Sequence, residues 1–591
     1  MLQNYRHIWA LLDRPERFSF IGLVGVSIFM ALLEMTGVAA IFPFLKLVGD
    51  PSLFSKNEVY AQVAKRLSIT EPTQFTLIFG VLVLCVLIAG MVFRAVGSYF
   101  QTRFAMMRGR SISRRILADY LSKPYPWHLQ RNTSVLSQTL LSEVDLVVQQ
   151  AVLPSIMLLT NVTVALLIAG FLFLAQPAVA LGATLMLGLV YGITLLVLRK
   201  PLQRAGSERV LHNEARFQKI AEIGGGIKEI KAAGQETVAI AGFRPSAKGM
   251  AEAHSSAIVL GQMPKFALEA VIYGGFVSLI LISFASGGGT AQLMPLFGLF
   301  GMASLKLFPA LQQIFADISL MRFSSNALST LAANTPTAGS VWNVHEPNKQ
   351  GFNQVIELKE VSFRFPGADA PAISNINLCI PARSTLGIVG GTGAGKSTMV
   401  DLLMGLLPAS AGAVTLDGQA LITERWQKSI GYVPQQIFLS DDSIAANIAF
   451  GVSEADIDLD AVQRAAKAAR LDNFVLNELP DGYLTSVGEG GVRLSGGQRQ
   501  RIGIARALYR NPDVLIFDEA TSALDNRTEA AVMEAIDQLA GQKTIIMIAH
   551  RLDTVKNCDQ IILLDHGQIV ARGSYAELLQ SSDRFKRLVN G

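Results

Sequence analysis

Six stretches of the first 311 residues, near 18–45, 73–100, 144–174, 178–198, 264–285 and 291–311, are each apolar over the ~20 residues that a bilayer requires of a helix. In hydrocarbon a backbone must satisfy its own hydrogen bonds, so these stretches are expected to be helices. Composition agrees. The chain has 591 residues, 50% hydrophobic and only 16% charged, and its mean hydropathy of +0.38 is too apolar for an ordinary soluble protein. The net charge of +5 is modest and no Lys/Arg block stands apart, which argues against nucleic acid as a partner. Cys85, Cys379 and Cys558 are widely separated, so neither a zinc site nor a disulfide framework is suggested.

The connections between the stretches set their orientation. Pro177 and Gly287-Gly-Gly289 mark very short turns without Lys or Arg. The connections after the second and fourth stretches are long and basic, with Arg103, Arg108 and Arg110 in one and Arg199, Lys200 and Arg204 in the other. The positive-inside rule puts both connections, and both termini, in the cytoplasm. Each reads as a helical continuation that turns back. Pro124-Tyr-Pro-Trp-His128 breaks the first; Leu211 to Ile223 reads as the turn of the second, followed by the helix-weakening Gly224-Gly-Gly226. Asn4 to Arg17 reads as an interfacial helix rather than a signal peptide. In the external loop 46–72, Val59, Tyr60, Val63 and Leu67 share one helical face, suited to packing on the span tops or lying on the outer leaflet.

Ionisable residues inside spans are costly and need a reason. They are Glu34, Arg94, Glu269 and Lys306. Counting rise per residue from the span ends puts Arg94, Glu269 and Lys306 toward the cytoplasmic half and Glu34 nearer the outer half. Positive charge near the inner leaflet would suit an anionic head group; the structural alternative is mutual pairing, for instance Glu269 with Lys306. Pro264 and Pro309 predict kinks.

A Ser/Thr/Asn/Pro-containing stretch, 326–354, is expected to be the linker between a membrane domain, 1–325, and a second domain, 355–591, where β-type alternation begins at Val355. That second domain holds Gly390-Gly-Thr-Gly-Ala-Gly-Lys-Ser397, a phosphate-binding loop between a β-prone run and a helical one. Gly390, Gly391, Thr392, Gly393, Ala394, Gly395 and Thr398 would bring backbone N–H groups to phosphate oxygens at a helix start. Lys396 would reach the β and γ phosphates of ATP and Ser397 would ligate magnesium. Asp513 to Glu519 is an apolar strand ending in two carboxylates. Asp518 would hold Mg2+ and Glu519 would polarise the attacking water. Leu494-Ser-Gly-Gly-Gln498 precedes a strong helix, making Ser495, Gly496, Gly497 and Gln498 a second anion-facing surface.

With these motifs in this order, the half from about 355 resembles the nucleotide-binding domain of ABC transporters, and the whole chain resembles an ABC exporter half-transporter. The resemblance implies a membrane all-α six-helix domain fused to an α/β P-loop nucleotide-binding domain with a helical subdomain. Leu494 to Gln498 matches that family's signature, and the resemblance implies that the signature of one copy closes over ATP held by the other. Position by position, it implies that Phe365 stacks on adenine, where the family more often has Tyr. Gln435 is implied to sense magnesium and water, and Asp525 to sit in the loop crossing the dimer interface. His550 is implied to contact the γ-phosphate and Glu489 to communicate between subunits. Glu519 and His550 are both present, which favours a homodimer with two working sites.

The membrane half carries a second resemblance, through Glu34 to Phe44, Pro124 to Thr133 and the spacing of Pro264, Glu269 and Pro309. It is similar to the bacterial flippase for lipid-linked oligosaccharides and its polysaccharide-associated relatives. That implies a polyprenyl-diphosphate glycan as cargo, Arg94 or Lys306 as residues meeting its diphosphate, and the bacterial cytoplasmic membrane as location. The segments near Tyr125 to Asn132 and Leu211 to Ile220 resemble the family's coupling helices. A multidrug or other lipid exporter is the competing reading; a nucleotide-gated channel or regulatory subunit is the alternative of a different class.

Overall fold

The computed structural model describes residues 2–49, 58–66, 69–175, 177–285, 290–336, 349–520, 526–549 and 551–590. Two compact units emerge, one of Met1–Lys123 with Gln130–Asn343 and one of Pro124–Leu129 with Val344–Gly591.

The first unit is helical. A short helix α1 (Leu2–Leu11) precedes α2 (Arg14–Gly49), and α3 (Glu58–Arg66) precedes the long α4 (Pro72–Ser122). α4 stops where Lys123, extended at φ −69° and ψ 145°, precedes Pro124. The short α5 (Tyr125–Leu129) follows, and clusters within the second unit. Helix α6 (Thr133–Leu174) carries two π-helical turns, Thr139–Glu143 and Val148–Val152. Then come α7 (Pro177–Gly225), α8 (Ile227–Ala233), α9 (Glu236–Ala285), α10 (Thr290–Phe323) and α11 (Ser325–Asn334).

Each of the six predicted spans lies in one of the long helices α2, α4, α6, α7, α9 and α10. Among the described residues α2, α4 and α6 contain windows long and apolar enough to cross a membrane. Their outward apolar side chains, such as Leu77 and Leu166, are exposed, as lipid contact requires.

Three expectations need correction. Leu211–Ile223 is not a turn: α7 stays helical to Gly225, because this stretch is rich in helix formers and has no breaker before the glycine triplet. The chain leaves the helix at Gly226 and α8 closes at Gly234, whose φ of 62° is left-handed, so the turn element is Ile227–Ala233 and not Leu211–Ile220. The helical pattern does not break at Asn326, since α11 buries Ala327, Leu328 and Leu331 in the same core as Ile8 and Leu11 of α1 and Leu12 just after it. The third concerns α1 itself, which puts this apolar face on protein rather than lipid. Asn4 Nδ2 donates to Met321 O at 2.9 Å and Tyr5 Oη to Ser155 O at 3.0 Å, leaving Leu2 and Trp9 exposed. Helix α3 packs Tyr60 against Phe75 and Phe79, with Ala64 buried.

The second unit has two sheets. The antiparallel one runs β2 (Ile373–Pro381), β1 (Val355–Phe363), β4 (Ala411–Leu416), β5 (Gln419–Ala420). The other has the order β10-β9-β3-β8-β7-β6, with β3 (Thr385–Gly390), β6 (Ile430–Val433), β7 (Val514–Asp518), β8 (Thr544–Ile548), β9 (Gln560–Asp565) and β10 (Gln568–Gly573). β9, β3, β8, β7 and β6 are mutually parallel, and β3, β7 and β8 are almost wholly buried, which is why they read as continuous apolar runs. The carboxyl ends of β3 and β7 therefore open at one edge of the sheet, where ligands bind in such folds.

Candidate nucleotide site

The loop that leaves β3 ends at helix α12 (Lys396–Leu403). Gly393 and Gly395 have φ of 78° and 100°, left-handed values that only glycine adopts readily, and a Cβ on Gly395 would meet Ala372 O at 2.8 Å. Gly391, Thr392 and Gly393 are exposed, while Ala394 is buried against the antiparallel sheet's core. Lys396 Nζ turns back over the loop and donates to Gly390 O at 2.8 Å and Gly391 O at 3.1 Å. Burial pushes its ammonium down in pKa; Glu519 and Asp518, facing it, push it back up. Ser397 and Thr398 follow in the first turn of α12.

β7 delivers Asp518 at its end and Glu519 just beyond. Glu519 has a left-handed φ of 51°, strained for a non-glycine, and its N–H donates to Ile548 O at 3.1 Å. Gln435 Nε2 donates to Glu519 Oε2 at 2.7 Å, and Tyr432 Oη donates to Asp518 Oδ2 at 3.3 Å. Asp401, on α12, is pushed up to about 6 by burial and then by Asp518. Tyr125 of α5 also senses Asp401 electrostatically, after burial as the larger influence on its raised pKa. Sequence reasoning singled out neither Tyr432 nor Asp401; the available signal was that both lie within four residues of a motif position. Ser397, Gln435 and Asp518 offer only oxygen donors to a cation, the set that suits magnesium shared with a substrate's phosphates.

Signature helix α13 (Gly496–Tyr509) opens with a reciprocal cap. Gln498 N donates to Ser495 Oγ at 3.2 Å and Ser495 N donates to Gln498 Oε1 at 2.7 Å. The N–H groups of Gly496 and Gly497 belong to the first turn, which lacks intrahelical acceptors. Phe365, half-buried, meets Phe363 edge-on at 4.9 Å. Asp525 and His550 lie outside the described residues. Glu489 sits in a short 3-10 turn, Glu489–Gly491, ahead of the signature.

In the membrane unit Arg94 Nη1 meets Glu34 Oε1 at 2.5 Å. Gly90 packs at Leu33 O and Gly97 at Met30, so Arg94 stands about one helical turn to the cytoplasmic side of Glu34 and reaches it along its own side chain. Glu269 lies 3.9 Å from Lys265, one turn away, and the Lys306 side chain lies outside the described residues. A cluster that the sequence did not reveal joins α6 to α7. Arg209 forks onto Glu143 at 2.8 and 3.0 Å, and Asn213 Nδ2 donates to the same carboxylate at 3.0 Å, all three buried.

Residues 373–522 match the family described as ABC transporter, and residues 26–250 match the ABC transporter transmembrane region. An ATP-dependent lipid A-core flippase of Ralstonia nicotianae is 30% identical over 594 residues, 98% of this chain and 94% of that protein. The chain belongs to the ABC transporters. Its membrane helical domain is fused to an ATP-binding domain in the half-transporter layout. This ABC transporter is also 45% identical to the ATP-dependent lipid A-core flippase of Saccharophagus degradans, over 39% of its own length and 40% of that relative's. Its fold is that of a bacterial Atm1-family ABC exporter with ATP bound, at a TM-score of 0.75 and 24% identity, covering 96% of this chain and 97% of the other.

Proposed function

We propose that this chain is one half of a homodimeric, ATP-hydrolysing exporter or flippase that moves an amphipathic lipid-type substrate from the inner to the outer leaflet of a bacterial cytoplasmic membrane. The observation that carries the reading is Glu519, strained and held by Gln435 beside Lys396. An acid so placed can orient water toward a γ-phosphate seated over the loop.

In this reading Gly390 to Thr398 hold ATP, with Phe365 against the base. Ser495 to Gln498 of a second copy cap the γ-phosphate, with Asp525 at the interface between copies, and His550 also contacts the γ-phosphate. Ser397, Gln435 and Asp518 hold Mg2+, which neutralises phosphate charge. Closure of two copies around ATP differs in free energy from the open pair, and that difference shifts the membrane domain between facings.

For the cargo, the relatives' names point to lipid A-core and the membrane-half motifs to a polyprenyl-diphosphate glycan. Both are glycolipids with a phosphorylated head group, and the finer reading remains a lipid-linked oligosaccharide. Arg94 and Lys306 are the candidate head-group contacts, with Glu34 and Glu269 tuning them. The test is ATPase activity and leaflet transfer in proteoliposomes with a lipid panel. Selective stimulation by polyprenyl-diphosphate sugars is expected; stimulation by lipid A-core alone, or by amphipathic drugs alone, would move the cargo to those classes.

A further inference from the structure

Two residues of one short segment reach the two acids at the end of β7: Gln435 holds Glu519, and Tyr432 holds Asp518. The register explains how. β6 and β7 are parallel with Tyr432 opposite Ile516, so side chains at 432, 516 and 518 fall on one face of the sheet. The Tyr432 ring packs on the apolar cluster containing Met399, Ile516 and Leu564, which anchors the hydroxyl at the foot of the phosphate loop. Asp401, one helical turn beyond Ser397, is on the same face of α12 as that serine and is a second electrostatic neighbour of the phenol. A phenol keeps its proton at neutral pH, so the hydroxyl acts toward Asp518 as a donor.

We propose that Tyr432 is a positioning residue for Asp518, holding its carboxylate in the one orientation that serves a divalent cation at the nucleotide site. Gln435 is an expected magnesium sensor; Tyr432, three residues earlier, makes the same segment hold the acid as well. The inference rests on the ATPase reading above, and its test separates the two.

The experiment uses the full-length protein with Glu519→Gln, so that ATP is not consumed, and follows Mn2+ binding by its electron paramagnetic resonance signal in saturating ATP. Metal-free ATP binding is measured in parallel with a fluorescent analogue in chelator. Tyr432→Phe keeps the ring and removes one hydrogen bond, so the apparent Mn2+ affinity should fall about five-fold with metal-free ATP binding unchanged. In the otherwise native protein the Mg2+ dependence of ATPase activity should move to higher concentration by the same factor. Unchanged Mn2+ affinity overturns the proposal, as does an equal loss of metal-free ATP binding, which would mark the hydroxyl as merely structural. A parent protein with no nucleotide-dependent metal binding would instead sink the ATPase reading.

Discussion

Gln435 Nε2 donates to Glu519 Oε2 at 2.7 Å, tying the acid beyond β7 to the segment that follows β6. A carboxylate that orients water can be replaced by its amide without losing shape. Glu519→Gln should therefore bind ATP as tightly as the parent while turnover falls by roughly 100-fold or more. Nucleotide binding and phosphate release measured on one preparation decide this, and ordinary turnover would contradict the role.

The pairing of Arg94 with Glu34 separates a structural ion pair from a head-group contact. Arg94→Glu alone should impair both folding yield and lipid-stimulated ATPase. Exchanging the two charges, Arg94→Glu with Glu34→Arg, should restore yield. If Arg94 meets an anionic head group, lipid stimulation will stay low in the exchanged protein; full recovery would show that the pair serves only the fold.

Arg209 is buried with a forked bond to Glu143, and losing either partner strands a charge. Arg209→Ala is expected to cost about 3–5 kcal/mol, seen as a lower thermal midpoint and folded yield in detergent. Replacing both residues with apolar ones, Arg209→Met with Glu143→Leu, should recover most of that loss.

Asp417 accepts backbone N–H bonds from Asn353, Gln354 and Val355 at 2.8, 3.0 and 2.8 Å, and these hold its carboxyl below the usual range. A depressed native pKa means that the unfolded chain binds the proton more readily. The stability from this group is fully present above about pH 4 and vanishes as pH falls through the native value. Thermal unfolding of Asp417→Asn should therefore differ from the parent at neutral pH and converge with it in acid.

Cys558 is buried, and burial, then Asp559 and Asp537, push its thiol up to about 12. Thiolate is the reactive form, so Cys558 should resist alkylation at pH 8 until the protein unfolds. Cys379, exposed on β2, should label at once; peptide mapping after timed alkylation distinguishes them.

Motifs of fixed spacing made the nucleotide site readable from sequence, because backbone geometry at Gly393 and Gly395 admits few residues. The spans were equally plain from their composition. What escaped was whatever depends on partners distant along the chain. Glu143 looks like a stray acid in an apolar run until α7 brings Arg209 and Asn213 to it. The turn after α7 is hard to place from sequence because amphipathic, charge-rich helix reads as loop once it leaves the membrane, and only the glycine at 226 ends it. Tyr432 looks like one more buried aromatic of a strand, and only the β6–β7 register reveals its hydroxyl beside Asp518.

The cap between Ser495 and Gln498 is already closed within a single chain. If Ser495 to Gln498 receive a triphosphate as proposed, it finds a stiff landing surface that need not be moulded around it, and little freedom is forfeited on contact.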